Sequence, residues 1–410
     1  MELTVGRLAQ RGLAARTLAA ATAGGLVALM ATGTAAAAPA TVSASVISAN
    51  LNDVSCTSAH SCMAVGTFLS SKGPEFTLAE TWNGTAWTVV PSPTPNVAQG
   101  GGELDSVSCP SSTACIAVGF GFTNKTTTAT SPIAESWNGS KWTVVPTPKL
   151  ANAGAALKGV SCTSPSSCMA VGSAGTAMDD TRSTLAESWN GTAWKLVSTP
   201  PPPAPGDTAL SSVSCTAPAS CMAAGYYANT TKSTPLTLAE TWNGTTWRIL
   251  TTPNPGSSGT LSGIACTVAS ACMAVGGHRH SGTFILNATL SEQWNGHTWR
   301  ARTSPNPPSA NFAGFDAISC TGPAACMATG FALAEEGESG ITLAESWNGT
   351  AWSLLKAPSP GSASDELLGV SCTSPSSCLA VGDFQGSGNE FTLAEAWNGT
   401  HWTVTKTPNP

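Results

Sequence analysis

The sequence predicts an all-β protein, a seven-bladed β-propeller with four antiparallel strands and one disulfide per blade, and three observations predict it. The first is the stretch Leu78-Ala79-Glu80-Thr81-Trp82-Asn83-Gly84-Thr85-Ala86-Trp87, one of seven copies in a 410-residue chain. The first Trp of each copy is Trp82, Trp137, Trp189, Trp242, Trp294, Trp347 or Trp397, and a second follows five residues on, so one device consumes all 14 tryptophans. The second observation is a C-x5-C pair in every unit: Cys56/Cys62, Cys109/Cys115, Cys162/Cys168, Cys215/Cys221, Cys266/Cys272, Cys320/Cys326 and Cys372/Cys378. The third is the period. Aligned on the first cysteine, the units start 53, 53, 53, 51, 54 and 52 residues apart, a spacing that marks a propeller or array.

Each unit divides into four short segments bounded by turn residues. The first reads L-x-x-[VI]-[SA]-C, as in Leu51 to Cys56, with Phe315 once replacing Leu. The second, Cys62-Met63-Ala64-Val65-Gly66 and its copies, is apolar on both faces, as suits a strand covered on both sides. Met63, Met169, Met222, Met273 and Met327, with Ile116 and Leu379, hold one position in it and read as core. In the third, Leu78, Glu80 and Trp82 alternate with Thr77, Ala79 and Thr81 and so point to the opposite face. The fourth starts at Trp87 and stops at Pro91, because proline removes a ladder donor. Asn-Gly between the two Trp-bearing segments is a hairpin signal, since both residues tolerate positive φ. Trp82 and Trp87 then face each other across the hairpin, a pair that contributes up to about 1 kcal/mol relative to Ala–Ala. No stretch has a 3.6-residue period.

The N-terminus reads as an address. Arg7, Arg11 and Arg16 precede an apolar run over 18–30 and then Ala35-Ala36-Ala37, the order of a secretory signal peptide over residues 1–37. That run is shorter than the ~20 residues of a membrane span, and a retained anchor is the alternative. Residues 38–50 read as a lead-in, with 41–47 alternating loosely as a strand that pairs with the last blade, and 51–410 read as the propeller. Its blades are expected at about 51–103, 104–156, 157–209, 210–260, 261–314, 315–366 and 367–410. An even cysteine count, fixed spacing and an export signal point to disulfides that clasp the first hairpin of each unit. Zinc sites favour shorter knuckles, and no His recurs beside these pairs. Without residues 1–37, the chain keeps 14 basic against 22 acidic residues, a net charge of −8. Such a surface offers no basic stripe for nucleic acid.

These residues resemble the kelch repeat of kelch and galactose-oxidase-type propellers. Val65-Gly66, then Trp82-Asn83-Gly84, then Trp87 and Pro91 stand in the kelch order, and the resemblance covers residues 51–410. The departures are a single glycine where kelch has two, except at Gly276-Gly277, and the cysteine clasp. The chain also looks like secreted actinobacterial proteins built from C-x5-C and W-N-G-x-x-W units. The resemblance implies a bladed ring of bacterial origin and leaves its activity open.

Chemistry is harder to find. Glu80, Glu135, Glu187, Glu240, Glu292, Glu345 and Glu395 share one position. Symmetry mates in equivalent surroundings do not make the unlike carboxyl pair of a glycosidase. They read as structural, accepting hydrogen bonds from backbone N–H or Trp Nε1–H. Galactose-oxidase chemistry would need ligating tyrosines, and the only two are adjacent, Tyr226 and Tyr227. Sialidase boxes, G-x-S-x-G, H-E-x-x-H and phosphate loops are absent, so no catalytic residue, cofactor or metal ligand is assigned. What differs between units are the loops 67–76, 120–132, 173–183, 226–237, 277–289, 331–342 and 383–392. They lie opposite the cysteine and Asn-Gly hairpins, and function on repeat scaffolds sits on such loops. Phe120, Phe122, Tyr226, Tyr227, His278, His280 and Phe331 are the candidate binding residues. The expectation is a secreted or extracellular, non-catalytic, monomeric scaffold for a glycan or protein ligand, with cell-surface association open. The alternative is a secreted polysaccharide hydrolase or lyase using Asp179, Asp180, Glu335 and Glu336.

Overall fold

The computed structural model describes residues 46–410 apart from 72, 96–99, 124–128, 151–152, 177–180, 205, 230–233, 280–287, 309, 334–339 and 387. The signal-peptide reading over 1–37 lies outside the described residues. In blade one, β1 (Val46–Ser58), β2 (Ser61–Ser70), β3 (Glu75–Trp82) and β4 (Trp87–Val89) form one antiparallel sheet in chain order. Six further four-stranded sheets repeat that order, which completes a seven-bladed β-propeller. First strands touch the first strands of both neighbouring blades, and β1 touches that of blade seven (Asp365–Ser374), so they form the inner ring. Each fourth strand packs on its own third and forms the rim.

No strand is exchanged to close the ring, because blades one and seven each contain four consecutive strands. Side chains close it instead: Leu51, Val54, Ala64, Leu78 and Trp87 pack on Leu379, Val381 and Ala394. The backbone N–H of Cys56 donates to Ser371 Oγ at 3.0 Å across the same seam. Within 41–47, expected to pair with the last blade, Val46 pairs instead with Ser70 of β2. The reason is that β2 runs far enough to supply the partner. A side-chain bond still links this segment's continuation to blade seven, Ser48 Oγ to Glu390 Oε2 at 2.6 Å.

The repeated motif now has physical causes. A bulge at Asn52 shifts the β1/β2 register between Leu51 and Asp53, opposite Gly66 and Val65. A Cβ on Gly66 would stand 2.0 Å from the carbonyl oxygen of Asn50, so only glycine passes there. Alternation along the second and third strands sends Met63, Val65 and Ala79 to blade two, where they meet Leu104, Val107, Ala117, Ile133 and Trp142. Equivalent clusters fill the other interfaces, so the core is seven wedges between blades.

At the rim, Trp82 stands opposite Trp87 with ring centroids 5.4 Å apart, and the other six pairs repeat this at 5.6–5.8 Å. The second Trp of each pair is buried. Most first ones are half-buried, and the Trp82 Nε1–H donates to Ala59 O in the cysteine turn at 3.2 Å. The turn between them works as its sequence demands: Gly84 has φ of 95°. Asn83 Oδ1 accepts from Thr85 N, Thr85 Oγ1 and Ala86 N. The Asn-x-Thr pattern is therefore accounted for by turn geometry.

All seven cysteine pairs are disulfides across the first hairpins: Cys56–Cys62, Cys109–Cys115, Cys162–Cys168, Cys215–Cys221, Cys266–Cys272, Cys320–Cys326 and Cys372–Cys378. No free cysteine remains. The clasp expected from the spacing is present in every blade. The two cysteines of a pair are not equivalent, and the second is also a core residue. Cys62, Cys115, Cys168, Cys221, Cys272, Cys326 and Cys378 are all buried, whereas their partners are half-buried. Cys115 packs with Met63 of blade one, Cys221 with Met169 of blade three and Cys378 with Met327 of blade six. The reason is strand position: each second cysteine opens a second strand, which the preceding blade covers, on the same face as the alanine two residues on.

Candidate functional site

The seven glutamates come first, because repeated carboxylates are the obvious place for chemistry. Every one has 0% exposure and lies in the interface with the preceding blade. Of the expected partners, the backbone of Asn254 serves Glu292, and the other bonds come from hydroxyls. Ser92 Oγ of blade one donates to Glu135 Oε2 at 2.8 Å, and Ser304 Oγ of blade five to Glu345 Oε2 at 2.8 Å. Thr237 Oγ1 donates to Glu292 Oε1 at 3.3 Å. Among the described residues, Glu80, Glu187, Glu240 and Glu395 have no partner on either oxygen. The indoles bond elsewhere or not at all: Trp352 Nε1–H donates to Ser291 Oγ and Trp87 Nε1–H to Thr405 Oγ1, while among the described residues Trp142, Trp194, Trp247, Trp299 and Trp402 have no partner for theirs. Burial pushes Glu80, Glu187, Glu240, Glu345 and Glu395 up to about 8, and Glu135 and Glu292 to about 7. A fully covered carboxyl meets no substrate; these groups belong to the interfaces. The same holds for the sulfur atoms, since Cys115, Cys221 and Cys378 are 4%, 5% and 4% exposed and offer no face to a ligand.

The candidate binding residues other than His280 lie toward the ends of second strands, at the end of the ring away from the disulfides. The structure spreads them over four blades and does not gather them into one patch. Phe120 is buried at 2% exposure, edge-on to half-buried Phe122 at 5.8 Å, with Lys158 Nζ of blade three 4.9 Å above its ring. Tyr226 belongs to a clasp between blades three and four. Its hydroxyl donates to Asp207 Oδ2 at 2.9 Å, and Arg182 makes two side-chain bonds to the same carboxylate, at 3.0 and 2.9 Å. Burial, with Asp207 adding to it, pushes the Tyr226 phenol up. Tyr227 packs on the cluster between the same blades. His278 Nδ1 lies 3.1 Å from Thr289 O, and half-buried Phe331 covers Gly314. His280, Asp179, Asp180, Glu335 and Glu336 lie outside the described residues.

A second group, midway along the inner strands, was not singled out from sequence. The two variable positions of L-x-x-[VI] lie on the inner strands, and in blades one to three they carry Asn52, Asp53, Asp105 and Lys158. Lys158 Nζ bonds Asp105 Oδ1 at 2.8 Å, and Asn52 Nδ2 donates to Glu103 Oε1 at 2.8 Å. Burial works against the Lys158 charge, but Asp105 and Glu103 outweigh it and raise its pKa. Asp53 is pushed up to about 6 by burial, although Ser106 Oγ and Val107 N both donate to its carboxylate. The signal was available: between flanking residues that barely change, these two positions vary in charge and size. Phe68/Phe76 and Phe384/Phe391, cross-strand pairs at 5.1 and 5.5 Å, were also missed. Phe68 and Phe384 pack on interface clusters. Among the described residues, no group of three His, Cys, Asp or Glu is placed to hold a metal ion.

This geometry is shared with solved propellers. The β-propeller domain of the Trilobed protease from Pyrococcus furiosus, described as having an open velcro topology, matches 88% of this chain and 99% of its own, at 7% identity and TM-score 0.50. An ulvan lyase of a new polysaccharide lyase family matches 88% and 96%, at 10% identity and TM-score 0.51. An acylaminoacyl peptidase matches 87% of this chain and 52% of its own, at 9% identity and TM-score 0.53. At such identities the likeness is one of fold alone. No protein-family profile matches the chain, and no curated protein does.

Proposed function

We propose that the chain is an exported, non-catalytic binding scaffold that presents the loop-bearing end of its ring to an envelope glycan or protein. In this reading residues 1–37 are removed, 38–50 lead into blade one, and 51–410 act as a monomeric, kelch-like propeller. One observation carries the reading: every repeated ionisable side chain is buried between blades, whereas chemical variety is concentrated at one end and on the inner strands. A rigid frame with one variable end is what repeat scaffolds use for recognition. The seven disulfides suit an oxidising compartment outside the cytosol.

The test is a pull-down of purified oxidised protein on cell-wall fractions and immobilised polysaccharides, repeated with Phe122, Tyr227 and Phe331 changed to alanine. Saturable, competable capture that weakens at least tenfold in the triple variant is expected. Capture unchanged by the triple variant, or none by either fraction, would remove the loop-end reading. Release of soluble oligosaccharides would favour the hydrolase or lyase alternative.

A further inference from the structure

The net charge of −8 is made of two unlike parts. Seven segments run from the first Trp of a pair through the fourth strand and the crossover: 82–101, 137–152, 189–206, 242–257, 294–311, 347–364 and 397–410. Together they hold 8 Lys or Arg and no Asp or Glu, whereas the rest of residues 38–410 holds 6 basic and 22 acidic residues. All 8 rim cations are exposed. They are densest on three consecutive blades. Lys195, Arg248 and Arg300 each follow the buried Trp that opens the fourth strand of blades three, four and five, one register step from uncharged Ser188, Thr241 and Gln293. Among the described residues none of the three meets a carboxylate. Blade five departs from the repeat at two further positions. Gln293 stands where the other blades carry Thr, Ser or Ala, and Arg302 where they carry an aliphatic residue or Thr405. The two act together: Arg302 Nε–H donates to Gln293 Oε1 at 2.9 Å, and the guanidinium lies 6.0 Å over the ring of Trp347. Trp347 is 3% exposed, whereas the first Trp of every other pair is half-buried. The guanidinium is thus held by its ring stack and its Nε, and its two Nη groups remain for an anion.

We propose that the rim of blades three to five is a docking surface for a flexible anionic polysaccharide. Cations spaced along the outside of a ring suit a chain of repeated carboxylates that can bend around it. A DNA duplex, stiff over about 50 nm, meets a convex rim over a single blade and gathers few of the charges. A flat bilayer is limited in the same way. The surface needs no cavity: its contacts are exposed and charge-assisted, so their number sets the affinity and salt weakens it. It lies on the rim, apart from the loop-bearing end, and stands whether or not that end binds anything.

Fluorescence anisotropy with labelled polygalacturonate, a labelled DNA duplex and phosphatidylglycerol vesicles tests it. Saturable binding of polygalacturonate that weakens with added salt is expected. Lys195→Gln, Arg248→Gln and Arg300→Gln together should weaken it about tenfold and flatten its salt dependence, because three counterion-releasing contacts are lost. All three side chains are exposed, so thermal unfolding of this variant should match the parent and the loss reports the surface. Glu75→Gln, Glu366→Gln and Glu390→Gln together shift the net charge by as much at the loop end. They should change binding by no more than about twofold, since charges beyond a screening length of about 10 Å contribute little. The Phe122, Tyr227 and Phe331 alanine variant should bind polygalacturonate normally, which separates this surface from the loop end. Parental binding by the rim variant, duplex or vesicles bound as tightly as polygalacturonate, or no binding of polygalacturonate would overturn the proposal.

Discussion

At one end of the ring the same devices recur in all seven blades: a disulfide across a tight hairpin, an Asn-Gly turn with glycine at positive φ, and a facing Trp pair. At the other end a third-strand threonine bonds the crossover in most blades, as Thr237 Oγ1 to Thr252 Oγ1 and Thr392 Oγ1 to Thr407 Oγ1, but the remaining contacts differ from blade to blade. Blades three and four share the Arg182–Asp207–Tyr226 clasp, blade seven ties Asp365 to the Gly361 N–H at 2.8 Å, and blade one reaches Glu390 through Ser48. The difference teaches that repetition here marks load carried equally by every blade, and variation marks places where the load is light. A residue repeated seven times is therefore a poor guess for chemistry and a good guess for stability. Substitutions at the two ends should separate on that basis.

The largest effect is expected from the rim tryptophans. Trp194 is 5% exposed and packs with Val118, Ala134, Leu157 and Leu185 across the interface between blades two and three. Trp194→Ala should cost about 3–5 kcal/mol in a urea melt, because the indole leaves a void that neighbouring strands cannot fill. Phe122→Ala, half-buried at the variable end, should cost well under half of that. Equal losses would contradict the division of labour between the ends.

The buried glutamates come next, and their effect has a sign. Glu345 is held at about 8 by burial against an ordinary value of 4.5. The folded ring therefore keeps a proton that the unfolded chain releases. Stability is complete below pH 4.5, falls as pH rises through the window to about 8, and levels off above it. Glu345→Gln keeps an acceptor for Ser304 and removes the titration. It should raise stability at neutral pH by up to about 3 kcal/mol and make the fall of stability with pH shallower by one of seven like contributions. A variant with the parent's slope between pH 5 and 8 would show that this carboxyl does not titrate as its burial requires.

How much of this was legible in the sequence follows from which residues recur. The four strands, the Trp pairs and the cysteine clasps could be read because each packing solution is written seven times, and the second-strand glycine stood out for the same reason. Its cause, the approach of Gly66 to the carbonyl of Asn50, needed coordinates, since a bulge leaves no periodic mark. Spacing likewise paired the cysteines without revealing that Cys115, Cys221 and Cys378 face a neighbouring blade. The glutamates are covered in the interfaces, and the partners of Glu135 and Glu345 lie outside the repeated motif. Ser92 and Ser304 sit in the crossovers of the preceding blade, 43 and 41 residues away in sequence. The loop-end aromatics read as candidate binding residues, yet Phe120 is covered and Tyr226 is engaged, because pattern alone does not say which neighbour a non-repeated side chain meets. Lys158 with Asp105 was passed over because each is a single letter in one blade; only the closed ring makes them neighbours.

The smallest of the three effects belongs to the disulfides, although they are the most conspicuous part of the repeat. Each closes a loop with a sequence separation of 6, so the unfolded chain loses little freedom when it forms. On the chain-entropy account one such bridge is worth roughly 2 kcal/mol, less than a buried indole. Cys162→Ala together with Cys168→Ala leaves the hairpin its ladder and the facing Trp189–Trp194 pair, with centroids 5.6 Å apart. The double variant should stay folded, lose about 2 kcal/mol in a urea melt and retain a single transition. Trp189 reports the site, since its Nε1–H donates to Pro165 O within the clasped turn at 3.1 Å. Amide exchange should rise at 163–168 and stay unchanged in the Arg182–Asp207 clasp at the opposite end. Exchange rising at both ends would mean that the clasp acts through the whole blade, and the contrast between a shared frame and independent closures would fail at its strongest point.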